Sequence, residues 1–195
     1  MTTSKSKQEL YDIAGKLFSK KGYHGTTIRE IAEARGILSG SLYTHISSKE
    51  DLLFHIVDDG AAAFLSALEP IVKGQDDPVT KLRNGLAAHI RVVTTQMDAA
   101  KVFLHDWTAL GDARKAEIQE KRDKYEALWS DLLAEGYAKG VFQGGDPKYL
   151  RILILSVGNW VYEWYKTSGE LTPEGLADEF MTIILNGIAI TQSMN

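Results

Sequence analysis

Proline placement constrains the fold of this 195-residue chain more than any other feature. No proline occurs in the first 69 residues, and Pro70, Pro78, Pro147 and Pro173 stand where the helical apolar periodicity breaks. Proline is tolerated at helix ends but removes a hydrogen bond inside a helix. No segment shows the sustained alternation of a strand, so the expected fold class is all-α. The periodicity predicts helices near residues 49–69, 78–97, 99–110, 112–139, 147–167 and 173–192.

The first 48 residues predict three helices of their own. Apolar residues recur at helical spacing from Leu10 to Phe18, and Gly22 ends that helix. The pattern Thr27-x-x-Glu30 is a capping box that begins a second helix, and Gly36 ends it with a sharp turn. A third, short helix is expected over 39–45. A second capping box, Ser47-x-x-Glu50, predicts where the fourth helix begins.

Residues 26–49, TTIREIAEARGILSGSLYTHISSK, therefore predict a helix-turn-helix, whose second helix fits the major groove of DNA. The short helix carries small or hydroxyl side chains that can approach base edges closely. Tyr43 and His45 flank them and reach towards phosphates. Lys49 begins the fourth helix, where a cation opposes the helix dipole, so we interpret it as the partner of a docked phosphate. Thr27, at the start of the second helix, is similarly placed.

Charge is divided unevenly along the chain. Residues 1–50 hold eight Lys or Arg and five Asp or Glu, whereas the remainder holds 14 and 21, although the total is −4. A basic module on an acidic body is typical of a protein that presents one end to phosphates.

Other classes of protein fit the sequence poorly. The chain has no cysteine, no N-terminal apolar leader and no uninterrupted apolar run long enough to span a membrane, so we expect a cytoplasmic protein. It lacks the G-x-S-x-G, Walker A and G-x-G-x-x-G motifs, and its five histidines show no metal-ligand spacing. We therefore expect no enzyme activity, no metal and no cofactor. A helical interaction module without nucleic acid would leave Lys49 and the hydroxyl-rich third helix unexplained.

The segment LFSKKGYHGTTIREIAEARGILSGSLYTHISSKEDLL resembles the DNA-binding signature of TetR-family transcriptional repressors. The likeness covers about residues 8–55 and includes G-S-L-Y-x-H and the following K-E-x-L; Ile46 replaces the aromatic residue usual in the family. The resemblance implies a homodimer that reads a palindromic operator in double-stranded DNA. It also implies a DNA-binding domain over residues 1–48 and a ligand-binding and dimerisation domain over 49–195, with helix 49–69 as the connector. The implied DNA-contacting residues are Thr27, Ser39, Gly40, Ser41, Tyr43, Thr44, His45 and Lys49.

Three segments of the body are candidates for an effector site. Within 112–139, Arg122 lies on a helix face that also carries Tyr125 and Trp129. A guanidinium on such a face is costly unless it is paired, so it meets an anionic ligand, pairs with Glu163 or Asp106, or reaches water. The run NWVYEWY, beginning at residue 159, is an aromatic stripe that suits a core, an interface or a ligand pocket. Phe103, Trp107 and Leu110, beside His105 and Asp106, predict a short apolar helix with polar insertions that suits a pocket wall. The candidate effector-binding residues are Phe103, Trp107, Arg122, Tyr125, Trp129, Asn159, Trp160, Glu163 and Trp164.

Short patterns in the body resemble the TetR-type repressors that respond to acyl-CoA thioesters of fatty-acid or sterol-ring breakdown. They are D-W at 106–107, R-x-x-Y-x-x-x-W at 122–129, G-V-F at 140–142 and N-W-x-Y-x-W-Y-K at 159–166. The resemblance implies an effector with an apolar tail and an anionic head. The alternative is a TetR-type regulator of efflux that senses a cationic or aromatic compound, which the aromatics and Glu163 would hold. In either case the hypothesis is that the ligand shifts a population of conformations through the fourth helix.

Overall fold

A computed structural model describes residues 2–186 and the side chains of 6–186. Within this range all the regular structure is helical, with ten α-helices, one 3₁₀ turn and no strand. The all-α prediction is confirmed. The helices are α1 (Thr2–Lys21), α2 (Ile28–Arg35), α3 (Ser39–Leu42), α4 (Lys49–Lys73), α5 (Pro78–Thr95), α6 (Met97–His105), α7 (Asp112–Ala138), α8 (Pro147–Asn159), α9 (Val161–Trp164) and α10 (Pro173–Asn186); the 3₁₀ turn is Asp106–Ala109.

Local signals set the bounds of the N-terminal helices. Thr27 and Glu30 form the predicted capping box, in which the Thr27 hydroxyl accepts from the Glu30 N–H and the Glu30 carboxylate accepts from the Thr27 N–H. Gly36 ends α2 with a φ of 76°, which favours glycine. The hydroxyl of Thr26, fully buried, donates to the carbonyls of Leu17 and Gly22 and fastens the end of α1 to the start of α2.

Five of the predicted helix boundaries were wrong. The capping box of α4 is formed by Ser48 and Asp51, one residue later than predicted. Pro70 lies inside the last turns of α4 and does not end it. The helix predicted over 99–110 begins at 97 and gives way to the 3₁₀ turn, and the helix predicted over 147–167 is broken at Trp160. The helix predicted over 39–45 ends at Leu42, followed by turns. Residues 187–192 of the last predicted helix lie outside the described residues.

Helix α5 is the centre of the body. Its side chains are buried along most of its length, and α4, α7, α8 and α10 pack around it. The pairs Asp77–Pro78 and Asp146–Pro147 begin α5 and α8 with an aspartate cap followed by proline, as helix-start preferences favour. The α1–α3 unit rests on the body through α1, which packs against α4 and α6. No helix in residues 2–186 combines the length and apolar character needed to cross a membrane.

Candidate DNA-binding face and effector cavity

Helix α3 turns one apolar residue inward and presents small residues outward. Leu42 is fully buried, whereas Gly40, Ser41, Tyr43 and Thr44 are exposed. A Cβ added to Gly40 would meet no atom within 4 Å, so packing does not require a glycine there. Its small size instead leaves space for another molecule to approach the helix. Ser39 and His45 lie at the two ends of this surface and are half-buried.

A polar cleft adjoins this surface and adds residues that the sequence interpretation missed. Tyr43, Thr44 and His45 line a cleft of about 380 Å³ together with Lys7 of α1 and His55 of α4. These two residues are distant in sequence from α3, and only the packing of α1 and α4 brings them to it.

Leu38, which precedes α3, was also missed. It is 80% exposed, the largest value among the exposed large apolar side chains of the described residues. A surface leucine beside small and hydroxyl residues is suited to the methyl group of thymine.

Thr27 has a structural role as well as a predicted contact with DNA. Its exposed hydroxyl donates to the Glu30 carboxylate at 2.9 Å and accepts from the Glu30 N–H at 3.2 Å. The hydrogen bond from Lys21 and those from Thr27 lower the pKa of Glu30 to about 2. Contact of Thr27 with phosphate stays a prediction.

Acceptors within the chain explain the position of Lys49. Its Nζ donates to the carbonyl oxygens of Tyr23 at 2.9 Å and Thr26 at 2.8 Å, and lies 4.2 Å from the centre of the Tyr23 ring. The interpretation that an anion is needed to account for a lysine at the start of α4 was therefore wrong. One N–H remains for a phosphate, and that contact stays a prediction. Lys49 fixes the start of α4 to the turn that precedes α2.

The body contains a cavity bounded by α4, α5, α6, α7 and α8. It measures about 60 Å³, and about 460 Å³ when the space open to solvent at its mouth is included. Four of the predicted effector residues line it: Phe103, Arg122, Tyr125 and Asn159. Sequence interpretation missed the wall from α4 and α5, which is formed by Ala61, Phe64 and His89.

Arg122 lies over aromatic rings at the mouth of this cavity. The guanidinium carbon is 4.8 Å from the centre of the Trp107 ring and 5.1 Å from that of Phe103. Burial lowers the pKa of Arg122, and nearby Glu126 and Asp123 offset part of this effect. Neither Glu163 nor Asp106, the partners considered from sequence, forms an ion pair with it; among the described residues Glu163 pairs instead with Lys101, at 3.3 Å.

The inner end of the cavity is polar. His89 is 3% exposed, and its Nδ1 is 2.8 Å from the Tyr125 hydroxyl. Burial lowers the pKa of His89 to about 4, so the imidazole is neutral at pH 7. A Cβ added to Gly158 would lie 2.6 Å from the His89 ring, so the glycine is what allows α8 to approach α5 here.

The remaining predicted residues lie outside the cavity wall. Trp129 is fully buried behind Tyr125 and His89, and Trp107 supports Arg122. Trp160 and Trp164 are 58% and 47% exposed on the outer surface. None of these four, nor Glu163, is among the residues that line the cavity. The prediction that they contact the effector therefore has no support from this geometry.

Two sets of contacts join α7 and the 3₁₀ turn to the start of α4 and to the α1–α3 unit. Arg114, in the first turn of α7, pairs with Asp51 and lies 3.6 Å from Glu50, while the Gly111 N–H donates to Glu50 at 3.1 Å. Asp106, beside Trp107, lies against the backbone of Tyr23, and burial raises the pKa of its carboxyl. Both sets of contacts therefore lie near Lys49 and near the turn before α2, which Lys49 holds through the Tyr23 and Thr26 carbonyls.

An N-terminal helix-turn-helix joined to a larger helical body is the architecture of a DNA-binding regulator of transcription. Family comparison agrees: residues 10–56 match the family described as "Bacterial regulatory proteins, tetR family", and residues 75–188 match "Tetracyclin repressor-like, C-terminal domain". The chain belongs to the TetR family of DNA-binding transcriptional repressors.

Similar proteins include the HTH-type transcriptional repressor KstR2 of Rhodococcus jostii, 32% identical over 96% of this chain and 94% of that protein. The structure of the ketosteroid transcriptional regulator KstR2 of Mycobacterium tuberculosis is similar at a TM-score of 0.87, with 25% identity over 95% of each chain. AibR in complex with isovaleryl coenzyme A and operator DNA is similar at a TM-score of 0.81, with 28% identity over 92% of this chain and 97% of AibR.

Proposed function

We propose that this protein is a homodimeric repressor whose affinity for a palindromic operator changes when an acyl-CoA thioester enters the cavity of the body. The observation that carries the proposal is Arg122, which lies on the Trp107 and Phe103 rings at the cavity mouth without an acidic partner within ion-pair distance in residues 6–186. Such a guanidinium is suited to an anionic group on a ligand whose apolar part enters the cavity.

The composition of the cavity supports a ligand with two unlike ends. Phe64, Phe103 and Leu155 supply apolar walls, and Lys121 and Arg122 add two cationic side chains to the lining. A CoA thioester joins an apolar acyl chain to an anionic head, so it matches both parts. The similar protein AibR has been seen with isovaleryl coenzyme A.

A cationic effector is the alternative, and the charges of the cavity disfavour it. The acidic side chain in the cavity wall is Glu126, which lies 3.4 Å from Arg151. Glu163, which the cationic hypothesis required, lies outside the wall. A cation would therefore meet Arg122, which has no ion-pair partner among the described residues, together with Lys121 and Glu126, which are already paired with Asp58 and Arg151.

Exposed apolar side chains on α8 and α10 support the homodimer. Tyr149 and Leu153 of α8 are 66% and 49% exposed, Trp160 directly after α8 is 58% exposed, and Ile183 of α10 is 54% exposed. Both helices pack on α5 with their other faces, which leaves these side chains for a second copy. Two copies present two α3 helices, as a palindrome requires.

The effector test is isothermal titration calorimetry with octanoyl-CoA, free CoA and the cationic dye ethidium. Wild type should bind octanoyl-CoA, whereas Arg122→Met, which keeps the side-chain volume, should lose at least tenfold in affinity because the guanidinium contact is removed. Lys124→Met is the matched control, since Lys124 lies on the same helix with 63% of its side chain exposed. Binding of ethidium alone would replace this proposal by the cationic alternative.

The DNA test uses an operator selected from a random duplex library. Gly40→Glu adds a carboxylate to α3, and its Cβ would meet no atom of the protein within 4 Å, so the thermal midpoint should not change while operator binding is lost. A second glycine, Gly140, cannot serve as the control position because its φ of 69° would strain a glutamate there. The control is therefore Glu33→Gln, at an exposed position of α2. Wild-type affinity in Gly40→Glu would remove α3 from the DNA interface.

A further inference from the structure

Leu38, directly before α3, is an exposed aliphatic side chain in a part of the chain that exposes few. Among residues 6–140, whose side chains the structure describes, the large apolar side chains that are exposed are Leu38 and Tyr43. All the others in the described range lie between residues 141 and 185. Tyr43 follows α3 and carries a hydroxyl, whereas Leu38 has no polar side-chain atom and is 80% exposed. The DNA-binding unit therefore presents one large, wholly apolar side chain to solvent.

Backbone hydrogen bonds fix the position of Leu38. The Ile37 N–H donates to the Ala32 carbonyl at 3.0 Å, and the Leu38 carbonyl accepts from the Ser41 N–H at 2.9 Å. Leu38 has the extended conformation of a residue that precedes a helix, with a φ of −72° and a ψ of 144°. Ile37 packs against the core on the other side of the turn. Leu38 is therefore held at the N-terminal end of α3.

That end of α3 determines which part of DNA Leu38 can meet. In a helix-turn-helix the N-terminal residues of the second helix contact base edges in the major groove. All four bases present hydrogen-bonding groups there, and thymine also presents a methyl group. An apolar side chain placed against a donor or acceptor removes it from water without replacing its hydrogen bond, which is costly. A leucine at this position is therefore suited to thymine.

We propose that Leu38 contacts the methyl group of one thymine in each operator half-site, so that a thymine–adenine pair is preferred at one symmetric pair of positions. This inference rests on the proposed placement of α3 in the major groove and does not depend on the acyl-CoA effector.

The surroundings of Leu38 favour DNA over a protein partner. The exposed residues that follow it on α3 are Gly40 and Ser41, so a protein would meet a single leucine where an interface core requires an apolar cluster. Residues 1–50 hold eight Lys or Arg and five Asp or Glu, a net charge of +3, which favours a polyanion.

The test removes the methyl group from the DNA and leaves its base pairing unchanged. In an operator selected by the wild-type protein, each thymine of one half-site is replaced in turn by deoxyuridine, together with its symmetric counterpart. Affinity is measured by fluorescence anisotropy. At one position the wild type should lose about fourfold for each half-site, or about fifteenfold for the pair, which is the gain expected from burying one methyl group in each.

Variants of Leu38 assign this loss to its side chain. Leu38→Ala should bind the unmodified operator more weakly than the wild type does and should lose nothing further with deoxyuridine at that position. Leu38→Met, which keeps a long apolar side chain, should retain the loss. Val141→Ala is the matched control, because it shortens another exposed apolar side chain in the loop after α7, and it should behave as the wild type. Leu38 is 80% exposed, so its variants should keep the wild-type thermal midpoint.

The outcomes separate this inference from the placement of α3 that it rests on. If no deoxyuridine substitution weakens binding by the wild type, the role of Leu38 is overturned and DNA binding by α3 stands. An equal loss in Leu38→Ala and in the wild type assigns the methyl contact to another residue and also overturns it. Wild-type affinity in Gly40→Glu overturns the placement of α3, and the inference with it. The wild-type series can refute the inference even if Leu38→Ala does not fold.

Discussion

Replacing Arg114 by Met tests whether α7 is joined to the start of α4 by an ion pair of structural importance. Burial favours a raised pKa for Asp51, but the hydrogen bonds from Arg114 and from Ser47 outweigh it and lower the pKa from 3.8 to about 2. This shift corresponds to about 2 kcal/mol of folding free energy. Arg114 supplies part of it, and its side chain is 35% exposed, so solvent screening reduces the share. We expect Arg114→Met to lose about 1–2 kcal/mol at pH 7.

The pH dependence of this loss identifies its cause. The pKa of Asp51 is depressed in the folded state, so the stabilisation is present above the unfolded value of 3.8 and is lost as the pH falls towards about 2. The difference between wild type and Arg114→Met should therefore be complete at pH 7 and reduced to about half at pH 3. Met keeps apolar contact with Phe54, over which the guanidinium lies at 5.0 Å, so lost packing contributes little.

Urea unfolding followed by circular dichroism measures both quantities at a fixed protomer concentration, because a dimer would couple stability to concentration. Lys124→Met is the control on the same helix: its partner Glu120 is 68% exposed, and exposed pairs contribute less than about 1 kcal/mol. Equal stability of Arg114→Met and wild type at pH 7 would refute the reasoning. So would a difference that is the same at pH 3 as at pH 7.

Three further predictions concern packing, capping and protonation. Gly136→Ala would place a Cβ 2.1 Å from the Phe142 ring, so the free energy of unfolding in urea should fall by about 1–3 kcal/mol; an unchanged value would mean that the loop after α7 moves freely. Thr27→Ala removes the cap of α2 and should cost about 1 kcal/mol in the same assay, whereas Thr27→Ser should restore it. Burial lowers the pKa of His89 from 6.5 to about 4, so stability should fall as the pH decreases through that window, by about 3 kcal/mol at most. In an acid titration of stability, His89→Leu should not show this loss. A stability profile identical to that of the wild type would contradict the prediction.

Local signals predicted the helix-turn-helix well, but the start of α4 shows their limit. Ser47 with Glu50 and Ser48 with Asp51 both have the spacing of a capping box, so the sequence alone is ambiguous by one residue. The structure selects Ser48 and Asp51. Arg114, which is more than sixty residues away in the chain, pairs with Asp51 there. A contact of that range leaves no trace in the local pattern.

The cavity was predicted only where aromatic residues signalled it. Phe103, Arg122, Tyr125 and Asn159 stand out in the sequence, and all four line the cavity. His89 lies in the run LAAHIRVV, which is typical of a buried helix, and its role depends on α7 and α8 closing around it. Trp160 and Trp164 were attractive for the same reason as the others, but the break in the helix at Trp160 leaves both on the outer surface. An aromatic residue in the sequence predicts that its side chain is buried or in contact, but the packing of the helices decides which groups it contacts.

The contacts of Lys49 bear on how a ligand could alter DNA binding. Lys49 holds the turn before α2 through the Tyr23 and Thr26 carbonyls, and Thr26 holds the same turn to α1. The three N-terminal helices should therefore move as one unit. Asp106 contacts that unit directly at Tyr23, and Arg114 holds the start of α4 directly after it. An acyl-CoA that draws Arg122 away from Trp107 would disturb the turn that carries Asp106, and thereby the position of the whole unit. The effector can change operator affinity only by the difference between its own affinities for the two arrangements. Variants of Arg122 should therefore lose effector binding, whereas variants of Arg114 should retain effector binding and lose its effect on DNA.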